Sequence, residues 1–297
     1  MSAPKLFLVL SLSLFGLIGI VSVFKKNPAK VKEQVAIYEE AVVVEEPMAS
    51  PSFPVATSPK EDTVIDRVPL LFTVTDQKLP IVETVKYTSR VSWLKGRPAW
   101  ITDYAAYYQT SRHFIARSLN RKPDYYTQKV ASGNQFNVFR TDKDIRFHFD
   151  VDLKECKMSF YYLDGNEKVL LKVYPIGVGR LDKNSPSGYL TPEGTYSLED
   201  KVAIYKPGVM GFFQDQEIEM IRVFGTRWIP FNVPGYGFHG APWVKAPNGE
   251  WIEDRSCIGT ASSDGCIRLL QEDMEEIFSI VITKPTTIKV SKTHVMP

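Results

Sequence analysis

From Arg146 onward apolar side chains fall on every second residue. Phe147, Phe149, Val151 and Leu153 set the pattern, Met158, Phe160 and Tyr162 continue it, and Val169, Leu171, Val173 and Ile176 carry a third run. Successive side chains of a strand point to opposite faces, so a period of two commits each run to one buried and one open face. Asp164-Gly165-Asn166 supplies turn chemistry between the second and third runs, and Gly177 and Gly179 end the third. Thr191-Pro192-Glu193-Gly194-Thr195-Tyr196 is a further turn entering a strand, and residues 199 to 235 form a Gly- and Pro-punctuated excursion with the character of a lid. Leu270 to Ile282 reads as a short helix whose first turns carry Glu272, Asp273, Glu275 and Glu276, the charge sign a helix N-terminus favours. Thr286 to Val290 supplies a closing strand. These runs predict a mainly β domain.

The N-terminal half is organised differently. Residues 6 to 24, LFLVLSLSLFGLIGIVSVF, are uncharged and apolar between Lys5 and the Lys25-Lys26 pair. As a helix this run spans about 28 Å, close to the hydrocarbon thickness of a bilayer. No small-x-small cleavage site follows, which favours an uncleaved anchor over a removed signal for residues 1–26. Lys25, Lys26, Lys30 and Lys32 would keep the bulk of the chain in the cytoplasm by the positive-inside rule; the chemistry below argues for the opposite side and is given precedence. Residues 27–88 read as a Pro/Glu-rich linker, stiffened by Pro47, Pro51, Pro54 and Pro59. From Trp100 to Leu119, Tyr104, Tyr107, Tyr108, Phe114, Ile115 and Leu119 define one face of a helix, for which core packing is the better reading than sugar stacking. Val130-Ala131-Ser132-Gly133-Asn134-Gln135-Phe136 resembles the opening of a LysM wall-binding module, so residues 89–145 form a small helical, LysM-like region.

Charge excludes one function class. With 36 basic and 34 acidic side chains the net charge is +2, and nothing favours nucleic acid as a partner. Three cysteines, Cys156, Cys257 and Cys266, are too few for a disulfide scaffold, and their odd number leaves at least one thiol to be explained in an exported protein. Cys257 could pair with Cys156, oxidise transiently with Cys266, or be inert. A zinc site from Cys257, Cys266, His239 and Asp264 has suitable atoms but lacks the closely spaced ligand pairs of zinc motifs, so no metal and no cofactor are expected.

The chemistry concentrates in Gly237-Phe238-His239-Gly240-Ala241 and in Ile258-Gly259-Thr260-Ala261-Ser262-Ser263-Asp264-Gly265-Cys266-Ile267-Arg268-Leu269. A thiol attacks as thiolate and needs a base or a positive field near neutral pH. His239 has glycine on its flank as Cys266 does, whereas His113, His148 and His294 lack comparable neighbours. The ordinary reading of a cysteine is a small buried hydrophobe, but this setting favours a nucleophile. Arg268 offers a planar fork for a carboxylate, against the plainer role of neutralising the acidic helix that follows.

The segment 146–291 resembles the YkuD-type L,D-transpeptidase catalytic domain. The resemblance rests on Val151-Asp152-Leu153, the Thr191–Gly194 turn, the His239-Gly240 pair and Ser263-Asp264-Gly265-Cys266-Ile267-Arg268, in that order. It implies a β-sandwich with a lid and a short helix, preceded by a small α+β region and the N-terminal membrane helix. It further implies that Cys266 attacks a stem-peptide carbonyl at an L-to-D bond, that His239 is the base, and that the Gly240 carbonyl orients the imidazole. Gly265 and Cys266 amides would form the oxyanion hole. Arg268, Tyr236, Trp243, Ser263 and Asp264 would contact substrate. Peptidoglycan stem peptides and carbapenem-type inhibitors are the implied partners, and the cell envelope the implied location, with the catalytic domain outside the inner membrane. Water as acceptor would make the enzyme an L,D-carboxypeptidase, and attachment of wall proteins is a related outcome. Asp264 departs from the histidine common in the family; turned inward it would repel a developing oxyanion and leave an impaired wall-binding protein. The interval from His239 to Cys266, 27 positions (266 − 239), is longer than usual for the family, and residues 242–257 read as an inserted hairpin turning at Pro247-Asn248-Gly249.

Overall fold

The computed structural model describes residues 65–120 and 130–292. The apolar run at 6–24, read as a membrane anchor, lies outside the described residues, and among those described no helix is long and apolar enough to cross a membrane.

Strands β1 (Val82–Lys86) and β2 (Gln135–Phe139) pair antiparallel, with helices Ile101–Tyr107 and Arg112–Asn120 between them in the chain. Strands β3 (Ile145–Asp152), β4 (Lys157–Asp164) and β5 (Glu167–Pro175) then form an antiparallel meander. The two-residue loop Gly165-Asn166 joins β4 to β5, as the turn chemistry required. After β6 (Val178–Gly179) come β7 (Gly194–Ser197), β8 (Ala203–Ile204), the hairpin of β9 (Met210–Phe213) and β10 (Gln216–Glu219), the short helix Ile221–Phe224, and β11 (Arg227–Pro230). The remainder comprises β12 (Gly237–Gly240), the hairpin of β13 (Trp243–Lys245) and β14 (Trp251–Glu253), β15 (Ala261–Ser263), β16 (Ile267–Leu269), helix Gln271–Val281 and β17 (Thr286–Ser291).

Two sheets carry the domain. The first has order β5-β4-β3-β17-β7, with β17 parallel to β3 and antiparallel to β7. The second has order β16-β12-β11-β8, with β16 parallel to β12. Phe147, Phe149, Val151, Phe160, Ile288 and Val290 are buried on one face of the first sheet, as their alternation predicts. Phe149 meets Phe238 of the second sheet edge-on at 5.1 Å, and Phe238 meets Phe231 at 4.9 Å. Each fully buried phenylalanine is worth roughly 1.5–3 kcal/mol, so this seam fixes how the sheets face each other.

Several expectations change. The linker ends earlier than residue 88, because Val68, Leu71, Phe72, Ile81 and Val82 are buried in the same core as the catalytic strands. The stripe from Trp100 to Leu119 is two helices, broken where Gln109 takes φ +46° and where the Thr110 and Ser111 hydroxyls accept from Phe139 N–H and His113 N–H. The segment likened to a LysM opening leads into β2, the last strand of its unit. The small region is not separate in packing, since Phe114, Phe139, Phe147 and Phe160 form a continuous chain of ring contacts at 4.5, 5.7 and 5.4 Å. The excursion at 199–235 is not all lid, for it contains β11, whose Ile229 is fully buried. Asp273, Glu275 and Glu276 do not face solvent. They are buried against Lys172, Arg227 and Arg117, an arrangement that tertiary packing rather than the helix dipole imposes.

His113 is 5% exposed and packs edge-on against Phe278 at 5.1 Å. Burial, with Arg112 and Arg227 adding, lowers its pKa from 6.5 to about 3. Between those values the unfolded chain binds the proton and the folded chain does not, so stability falls as pH drops. Denaturant titrations at pH 7 and 4.5 should differ by about 2 kcal/mol more in the parent than in His113→Gln; equal pH dependence in the two would refute this.

Candidate active site

Cys266 sits at the end of a tight turn between β15 and β16. Ser263 Oγ accepts from the Gly265 N–H at 3.1 Å and donates to the Cys266 carbonyl at 2.6 Å, closing the turn on itself. Thr191 Oγ1 accepts from the Gly179 N–H and donates to the Gly265 carbonyl, both at 2.7 Å, so the Thr-Pro-x-Gly turn clamps the same loop from outside. Gly265 takes φ +126°, and a β-carbon there would lie 2.7 Å from Cε1 of Tyr236. Only glycine fits this combination of backbone and neighbour. Tyr236 therefore walls the Cys266 turn directly.

Two expectations are corrected by these contacts. Ser263 is 1% exposed and both its hydrogen bonds are internal, so it braces the turn rather than meeting substrate. The Gly265 amide already serves Ser263 and is not available to an oxyanion in this geometry. The Cys266 N–H, by contrast, has no hydrogen-bond partner among the described residues.

His239 is placed by strand pairing. In the parallel ladder of β12 on β16, Phe238 is level with Ile267, His239 with Arg268, and Gly240 with Leu269. Phe238, Ile267 and Leu269 point into the core and are fully buried. Alternation then puts His239 and Arg268 together on the other face. His239 Nδ1 lies 2.7 Å from the Gly240 carbonyl. A carbonyl only accepts, so Nδ1 carries hydrogen and Nε2 of the neutral ring keeps its lone pair. Phe224 meets the ring edge-on at 5.4 Å, and Trp228, level with His239 on β11, lies at 6.0 Å.

The electrostatics hold both partners neutral at rest. Burial lowers the His239 pKa to about 3; its bond to Gly240 opposes this and the Arg268 charge assists it. Burial pushes the half-buried Cys266 thiol up to about 11, the Gly237 amide and Arg268 pull it down, and Asp264 pushes it up. The thiol donates to the Gly235 carbonyl at 3.4 Å.

Arg268 is held through its backbone by two bonds to Gly177, at 2.8 and 2.9 Å, and its buried Nε has no partner among the described residues. A guanidinium with an unused donor is ready for an acceptor. Asp264 is turned outward, its side chain 59% exposed, and pairs with Arg180 at 2.7 Å. Trp243 opens the hairpin of β13 and β14, opposite Glu253, with its indole N–H buried and unpartnered among the described residues. That hairpin occupies the predicted insertion. Arg180, Thr191, Phe224 and Trp228 were not singled out from sequence. Thr191 lay within a turn motif that could have flagged it; the other three had no local signal.

Comparison with known proteins fits this geometry. Residues 149–290 match the YkuD family, described as the L,D-transpeptidase catalytic domain. A Bacillus licheniformis protein assigned as the L,D-transpeptidase YkuD is 27% identical over 179 residues, which is 60% of this chain and 85% of that protein. Among solved structures, Bdellovibrio bacteriovorus Bd1075 is 18% identical, with TM-score 0.35 and coverage of 50% of this chain and 48% of that one. The helical cell shape determining protein Pgp2 from Campylobacter jejuni is 16% identical, with TM-score 0.34, covering 51% and 50%. The chain thus spans about half the length of each of these solved structures. Residues 149–290, just under half of the chain, thus match the YkuD family of L,D-transpeptidase catalytic domains.

Proposed function

We propose that this chain is a cysteine L,D-transpeptidase that remodels or cross-links peptidoglycan stem peptides through an acyl-enzyme on Cys266. What supports the proposal is a braced, half-buried thiol on the turn leading into β16 and, on the neighbouring strand β12, a buried imidazole whose Nδ1–H is fixed on the Gly240 carbonyl. Because both groups are neutral at rest, the thiol proton passes to His239 Nε2 as sulfur attacks the donor carbonyl at the L-to-D bond. The Cys266 N–H faces the oxyanion that develops. Collapse breaks the C–N bond, and His239 returns the proton to the departing D-amino acid, leaving a thioester. An acceptor amine then attacks, His239 takes its proton, and the thiolate is restored to thiol as the new amide leaves. Arg268 supplies a donor for a substrate carboxylate. Asp264 is held outward by Arg180, which supports a working site over a disabled one. The apolar run at 6–24 is assigned as the anchor that keeps the domain on the outer side of the inner membrane.

Incubation of the purified chain with a carbapenem should give a stoichiometric covalent adduct by intact mass, absent in Cys266→Ala; lack of adduct on the parent would count against the acyl-enzyme. Alkylation by iodoacetamide reports the thiolate and should rise with pH toward a midpoint of about 11. A midpoint near the roughly 8.5 of a free cysteine would mean that the thiol is not desolvated as described. Thr191→Val removes both clamping bonds and leaves a buried amide unsatisfied, a cost of about 1–3 kcal/mol. Carbapenem acylation of this variant should slow about tenfold at unchanged fold by circular dichroism, and an unaltered rate would show that the clamp does not position the turn.

A further inference from the structure

A groove of about 540 Å³ lies between the hairpin of β9 and β10 and the hairpin of β13 and β14. Its walls include Met210, Glu219, Arg222, Val244, Lys245 and Trp251. None of these belongs to the Cys266 turn. The helix Ile221–Phe224 nevertheless joins the two places, since Arg222 lines the groove while Phe224 packs on the His239 ring.

The charges in the groove are of both signs. Glu219 Oε2 is buried and has no hydrogen-bond partner among the described residues. An oxygen removed from water without a donor is costly, and a ligand donor that reaches it recovers that cost. Arg222 and Lys245 supply cations, with Lys245 Nζ 5.0 Å over the Trp251 ring, and Glu217 completes a set of two acids and two bases. A lining with no net charge disfavours a purely anionic ligand such as a phosphate as well as a simple cation. It suits a group carrying ammonium and carboxylate together. Met210 and Val244, each about half exposed, give that group apolar surface to lie on. The volume is in the range of small-molecule sites.

We propose that this groove binds a short free peptide by both of its charged termini, ammonium on Glu219 and carboxylate on Arg222 and Lys245, and so holds a peptide substrate near the helix that packs on His239. The assignment of that peptide as a substrate rests on the reading of Cys266 as acyl carrier; the binding itself changes no covalent bond.

The test uses the full chain carrying Cys266→Ala, which cannot form a thioester, and follows tryptophan fluorescence and calorimetry. The dipeptide Ala-Ala is compared with its N-acetyl and C-amide forms. The free dipeptide should bind in the millimolar range or tighter and each blocked form at least tenfold more weakly. Glu219→Gln should abolish the preference for a free amine, and Lys245→Ala, an exposed position, should weaken the preference for a free carboxylate. Equal binding of all three peptides, or no binding of any, would overturn the proposal. Because the measurement needs no chemistry, such a failure leaves the acyl-enzyme reading standing. Conversely, normal groove binding with no carbapenem adduct on the parent would strike only that reading.

Discussion

The parallel pairing of β12 with β16 is the constraint on which the site depends. It sets Phe238 level with Ile267 and His239 level with Arg268, so one register decides both what enters the core and what enters the cleft. A slip of one residue would put the imidazole among the phenylalanines and expose Phe238. The seam of Phe149, Phe238 and Phe231 opposes such a slip, because Phe238 has no comparable place to go. Core packing between the sheets and alignment of His239 are therefore the same interaction viewed from two faces of one strand.

Burial then determines how the chemistry runs. An exposed Cys–His pair could rest as thiolate and imidazolium, but here desolvation raises the thiol and lowers the imidazole, and Arg268 beside both disfavours a charged ring. In the proposed acyl transfer, a neutral resting pair means that charge appears only as the tetrahedral species forms, close to the unpartnered Cys266 N–H. The demand on the turn is consequently rigidity. Ser263, Thr191 and the Tyr236–Gly265 contact meet it with hydrogen bonds and close packing that leave the thiol half open.

How much of this was legible in the sequence differs by element. The β3–β5 meander followed from alternation, and Cys266 and His239 were singled out as candidates by ordered motifs, since both signals are local. Ser263 and Gly265 were misassigned for a physical reason: a hydroxyl three residues before the nucleophile can face outward to substrate or inward to its own turn, and only the backbone conformation decides. Arg180 could not be read because its value lies in meeting Asp264 across a loop, 84 positions away (264 − 180). The acidic stretch of helix Gln271–Val281 fitted a dipole rule, yet Asp273, Glu275 and Glu276 answer to Lys172, Arg227 and Arg117, which come from three separate parts of the chain. Local rules fail where a buried charge finds its partner through the fold.

The inserted hairpin illustrates how such a domain can gain a binding surface without disturbing its core. β13 and β14 pair only with each other, so their presence imposes no register on the two main sheets. They begin three residues after Gly240 and end before β15, and so are tethered between the His239 and Cys266 segments. A second small hairpin, β9 and β10, also pairs only with itself and leads directly into the helix that carries Phe224 to the imidazole. Two autonomous hairpins beside the His239 and Cys266 segments can vary in sequence while the Phe238 seam stays unchanged. If the groove holds a peptide as proposed, its selectivity is most readily altered there, where a substitution costs little in folding.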